Sequence, residues 1–107
     1  MIYEYRDYRA EPGRLADVEA RFRNHTIGLF EKHGFNNVGY WKPSTDPNDR
    51  LVYIVSFNSL EHREKAWSDF RADPEWKKVV TDSETNGPIV AEVISTILNP
   101  TDYSPLQ

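Results

Sequence analysis

The sequence predicts an α+β domain in which one four-stranded antiparallel sheet carries helices on a single face. Three observations carry this expectation. Short apolar or alternating segments recur at 2–9, 35–42, 51–57 and 89–98, with the lengths of strands. Segments of helical period lie between the first and second of these and between the third and fourth. At 107 residues the chain has material for one core, so residues 1–107 form a single domain.

In the first strand Ile2, Glu4, Arg6 and Tyr8 alternate with Tyr3, Tyr5 and Asp7. Pro12 and Gly13 then break the pattern. From Leu15 the apolar positions Leu15, Val18, Phe22, Leu29 and Phe30 follow a helical spacing. Stepping on by three from Phe22 reaches His25, which is therefore expected to face the sheet. Lys32, His33 and Gly34 form a cationic helix end with a glycine stop.

"FNNVGYWK" reads as the second strand, "PSTDPNDR" as the loop of a long hairpin, and "LVYIVSF" as the third strand. Asn58 or Ser59 can cap the next helix, whose inner face carries Leu60, Ala66, Trp67 and Phe70, with Arg63 on the same stripe. "ADPEW" restarts a helix, with Asp73 as cap and Pro74 at its first position. "IVAEVISTIL" is the last strand, and residues 99–107, with two prolines, form an extended arm. The order β-α-β-β-α-β is the split, ferredoxin-like arrangement.

Composition narrows the function. Net charge is −4 and no basic stripe appears, which argues against a nucleic-acid partner. Without cysteine there is no disulfide, thiolate metal site or thiol nucleophile. Charges begin at Glu4, which leaves no leader-like apolar segment, and no run is long enough to span a membrane. A soluble, cytoplasmic protein is the expectation. The three histidines lack metal-ligand spacing, and phosphate-loop, dinucleotide and serine-hydrolase motifs are missing, so neither metal nor cofactor is expected.

Two helices cover one side of such a sheet, yet the third and fourth strands are apolar on both sides. The uncovered face is an apolar patch that a second copy can bury, which predicts a homodimer packed sheet to sheet.

The chain resembles the NIPSNAP family of the dimeric α+β barrel superfamily. The resemblance rests on "MIYEYRDYRAEPGRL", "EKHGFNNVGYW", "FNSLEHREKAW", "ADPEW" and "ILNPTDYSPL", in that order along nearly the whole chain. It implies the ferredoxin-like fold and a dimeric barrel. It implies no particular reaction, since related barrels include cofactor-free monooxygenases, isomerases and haem-binding enzymes.

Polar residues at inward positions are the candidates for function. Glu4, Arg6 and Tyr8 share one side of a strand expected to be central, so they must pair with each other or with neighbours. Arg63, on the helical stripe above them, is expected to pair with Glu4 through its planar fork. Together with Trp67 and His25 they form the expected ligand-contacting set, with His25 as candidate base because imidazole titrates near neutral pH. Trp41, Tyr53, Trp67 and Trp76 are expected in the core, and His33 and His62 at the surface. Three functions follow. The first is a homodimer binding a small, partly apolar ligand between helices and sheet. The second is a cofactor-independent monooxygenase or isomerase, and the third an interaction module using the dimer surface or the C-terminal arm.

Overall fold

The computed structural model describes residues 1–45 and 49–107. The expected hairpin loop includes 46–48, which lie outside the described residues. The strands are β1 (Ile2–Ala10), β2 (Asn36–Trp41), β3 (Arg50–Phe57) and β4 (Val90–Leu98). They form one antiparallel sheet in the order β2-β3-β1-β4, which makes β1 and β3 central as the topology requires. The helices are α1 (Leu15–Arg21), α2 (Ile27–Lys32), α3 (Leu60–Ala72) and α4 (Pro74–Ser83). No described helix is long and apolar enough to cross a membrane.

Strand register sorts the side chains. Glu4 lies opposite Val55 and Ile97, Arg6 opposite Tyr53 and Ser95, and Tyr8 opposite Leu51 and Val93. These rows face the helices. Tyr3, Tyr5 and Asp7, with Ser56, Ile54 and Val52, face the other way. The core sits between helices and sheet and is built of rings: Phe30 stacks on Phe35 at 4.3 Å, and Tyr40 stacks on Tyr53 at 5.0 Å. Offset and edge-on ring pairs of this kind add to the stabilisation from burial alone.

The first helical segment departs from its expected regularity. Between α1 and α2 lies a π turn, Phe22–Thr26, whose wider ring holds one residue more than an α turn. Thr26 is buried in consequence and His25 is exposed. The expectation that His25 faces the sheet is corrected by this one-residue offset. Downstream, Gly34 adopts φ +83°. The Phe35 amide donates to the Phe30 carbonyl at 3.0 Å and the Gly34 amide to that of Glu31 at 3.1 Å, closing the helix with a left-handed cap.

Ser59 caps α3 by accepting from the His62 amide at 3.0 Å. Asp73 caps α4, accepting from the Glu75 amide at 2.8 Å, and it also binds Lys32 Nζ at 2.8 Å. His33 Nε2 lies 2.7 Å from the same carboxylate. His33 and His62 thus lie at helix ends and are partly exposed. Leu60 is exposed at the start of α3, outside the expected apolar face.

Trp41 is also placed differently. A bulge at Asn37–Gly39 shifts the β2 register, and the Trp41 indole folds back over Gly39, where an added Cβ would fall 2.6 Å from the ring. The indole is half exposed on the face without helices, outside the core. That face also presents Val38, Ile54, Ile94 and Leu98, and the arm runs along one end of it, with the Tyr3 hydroxyl donating to the Gln107 carbonyl at 3.3 Å. Tyr103 and Leu106 of the arm are exposed.

Gly34 supplies the first prediction. A side chain there meets the left-handed backbone and His62 Nε2, 3.3 Å from the added Cβ. Gly34→Ala is expected to lower unfolding free energy by about 1–2 kcal/mol, read from urea denaturation midpoints.

Candidate functional site

Glu4 is the most completely enclosed charged group among the described residues, with no exposed surface, held in the middle of the sheet under α3. Burying a carboxylate is costly unless its lone pairs are met. Five hydrogen bonds from four side chains meet them. Oε1 accepts from Arg63 Nε at 2.8 Å and Trp67 Nε1 at 2.8 Å. Oε2 accepts from Arg6 Nη1 at 3.0 Å, Arg63 Nη2 at 3.2 Å and Ser95 Oγ at 2.6 Å. Burial works against the charged form, but the Arg63, Ser95 and Trp67 bonds and the charge of Arg6 outweigh it and hold the carboxyl at about 2.

Arg6 extends the network along β1. Its Nε donates to the Tyr53 hydroxyl at 2.8 Å, and Nη2 reaches the Tyr8 hydroxyl at 3.4 Å. Burial opposes its charge, while Tyr53, Tyr8 and Glu4 raise its pKa. The Tyr53 hydroxyl in turn donates to Tyr8 at 3.2 Å, leaving the Tyr8 proton with no partner among the described residues. Burial, followed by Tyr8, pushes the Tyr53 phenol well up. Above the network the Trp67 indole lies between two guanidiniums, Arg6 at 4.4 Å and Arg71 at 4.9 Å.

Of the expected set, Glu4, Arg6, Tyr8, Arg63 and Trp67 come together, and the expected Arg63–Glu4 pairing is present. His25 is apart from them, on the outer side of the helix. Tyr53 and Ser95 are members that sequence reasoning missed. Both lie opposite Arg6 in the register, so a register estimate would have found them. Ser95 is also a polar residue set within an apolar strand.

Next to this network, across the Phe22 ring, a cleft of about 220 Å³ opens between helix and sheet. Phe22, Ile27, Tyr40 and Leu51 form its walls, with Glu19 and Arg23 at the rim. Phe22 packs edge-on to Tyr8 at 5.4 Å and tilts against Tyr40 at 5.5 Å, so one ring separates the cleft from the Arg6–Tyr8 network. The Tyr40 hydroxyl donates to Asn37 Oδ1 at 2.6 Å, and burial raises its pKa.

A NIPSNAP family model matches residues 3–105. The chain belongs to the NIPSNAP family. No curated protein matches it. Among solved structures it is similar to a NIPSNAP family protein with unknown function from Agrobacterium tumefaciens, with 26% identity, 100% and 94% of the two chains covered and a TM-score of 0.85. A NIPSNAP-like domain protein from Burkholderia xenovorans gives 24% identity, 97% and 88% coverage and a TM-score of 0.83. SnoaB, a cofactor-independent oxygenase from Streptomyces nogalater, gives 14% identity, 97% and 96% coverage and a TM-score of 0.67, a likeness of fold. The ferredoxin-like α+β architecture is common ground with these NIPSNAP structures.

Glu4→Gln keeps the shape but removes the charge that balances two arginines. It is expected to cost about 3 kcal/mol at neutral pH, the order found when a buried pair is broken. The pH dependence has a definite sign. A carboxyl held at about 2 against an ordinary 4.5 stabilises the fold above pH 4.5, and that stabilisation is lost as pH falls toward 2. Denaturation curves across that interval should show a shallower acid loss for Glu4→Gln than for the native NIPSNAP chain.

Proposed function

We propose that this NIPSNAP chain acts as a homodimer, paired through its helix-free sheet face, and binds a small, partly apolar, oxygen-bearing ligand between helices and sheet. The cleft beside the π turn is the observation that carries the reading. Its volume of about 220 Å³ suits a single ring or a short acyl chain. Aromatic and aliphatic walls with few polar groups are the usual make-up of a ligand site. Arg6 and Tyr8 stand behind Phe22, and a small rotation of that ring gives a ligand oxygen access to the unpartnered Tyr8 proton. Glu4, Arg63 and Trp67 then serve to fix Arg6.

A cofactor-independent monooxygenase or isomerase on the same scaffold is the second reading, supported by the fold it shares with SnoaB. Such chemistry needs a base beside the substrate. Glu4 is wrapped by donors, Tyr40 and Tyr53 are raised, and His25 points outward. Binding is therefore preferred to proton abstraction. The helix-free face, with Ile54, Ile94 and Leu98, supports pairing of two sheets, because water against so many apolar side chains is unfavourable.

Two measurements test these proposals. Acetophenone, benzoate and butyrate should raise the thermal midpoint through binding to the folded state. Ile27→Trp should fill the cleft and abolish the shift, and Tyr8→Phe should weaken binding about tenfold. No shift with any compound, or an undiminished shift in Ile27→Trp, defeats the ligand reading. Separately, light scattering at micromolar concentration should give twice the chain mass, and Ile54→Glu should halve it. A native monomer defeats the dimer.

A further inference from the structure

A second, wider hollow lies outside the helix–sheet layer. It is a groove of about 650 Å³ between α1, the π turn and α4. Arg21 forms part of its floor with only 9% of its side chain exposed. We propose that this groove is a binding site for a small carboxylate, anchored by the Arg21 guanidinium.

Arg21 is a buried cation with poor compensation. Its Nη1 makes two long bonds, to Ser83 Oγ at 3.2 Å and Glu84 Oε2 at 3.4 Å. Its Nε is buried, and neither Nε nor Nη2 has a partner among the described residues. The Trp76 ring, 5.2 Å from the guanidinium carbon, adds a cation–π contact but accepts none of its N–H groups. By contrast Glu4, another buried ion, accepts five hydrogen bonds from four side chains. A buried guanidinium whose counter-ion stands at 3.4 Å gains from a closer one.

The internal contact names the ligand. A carboxylate oxygen from Glu84 already reaches Nη1, and the planar fork of arginine matches a carboxylate better than other anions. Glu84 is only partly buried, so its carboxylate can swing out when a ligand takes its place. The groove is as large as a site for a small organic molecule. On the rim, Arg14 pairs with Asp17 and Lys78 with Asp82. Glu75 adds a further carboxylate, so the rim provides no broad positive field, which disfavours polyanions and leaves the selection to Arg21. Asn24 and His25, turned outward by the π turn, add hydrogen-bonding capacity.

Succinate titrated into the full chain at constant ionic strength, followed by amide and arginine Nε resonances, tests the assignment. Saturable shifts are expected at Arg21 and at groove residues of α4. Arg21→Lys, which keeps the charge but loses the fork, should weaken binding about tenfold or more. Glu84→Gln removes the competing carboxylate and should tighten binding about two- to fivefold, an effect that a purely structural Arg21 would not give. Shifts that never saturate, that chloride reproduces, or that Glu84→Gln leaves unaltered overturn the proposal.

Discussion

The enclosure of one carboxylate organises this molecule. Glu4 sits on a central strand, and its donors come from β1, α3 and β4. Three separate elements therefore share one ion. Any slip of β1 by a single residue would carry Glu4 to the other face of the sheet and leave Arg63 and Trp67 without their acceptor. Apolar packing of the surrounding rings also resists such a slip, but a charge left unpaired in the interior adds a larger penalty. The network thus specifies register and helix position more sharply than the aromatic core does. This explains why a strand so rich in ionisable groups can run through the centre of the sheet.

The same economy leaves the sheet unequally covered. The helices lie over the rows that hold Tyr53, Val55 and Phe57, all of which have no exposed surface. Toward the β4 edge the cover thins, so Val93 remains 40% exposed although it faces the helix side. On the opposite face Asp7 is gripped by Arg50 through two bonds, of 3.2 and 2.6 Å, at one end of β1. Tyr3, Ile54 and Leu98 gather under the arm at the other end. A face that is ionic at one end and apolar at the other has polarity, which would give the proposed pairing of two copies a defined orientation.

Much of this was legible in the sequence because it depends on simple periods. A period of two places Glu4, Arg6 and Tyr8 together, and a helical period of three to four places Arg63 above them. Asp73–Pro74 and Gly34 mark helix ends through chemistry that is local to a few residues. What failed to show was every feature produced by an inserted residue. The π turn displaced His25, and the β2 bulge, with Gly39 beneath the indole, sent Trp41 to the open face. Such insertions are decided by tertiary packing, because the wider turn lets Phe22 and Phe30 both enter the ring cluster. Fixed spacing cannot signal them. The groove at Arg21 was hidden for a related reason, since it requires α1 and α4, distant in sequence, to be set side by side.

One irregularity in a helix consequently divides the chemistry of the chain. Phe22 at the start of the π turn and Ile27 just beyond it point inward and frame the cleft against the sheet. Asn24 and His25, between them, point outward and border the groove with Arg21. A regular helix would have merged these sets, bringing an imidazole into the aromatic layer, where its polar nitrogens need partners that the rings do not offer. Thr26 takes the inward position instead and satisfies its hydroxyl locally, donating to the Arg21 carbonyl at 3.3 Å. The cost of a wider, less well hydrogen-bonded turn is thereby offset by a dry interior on one side and a polar recess on the other. The two sides can then change independently, because the inner wall is held by packing and the outer one by solvent-facing charges.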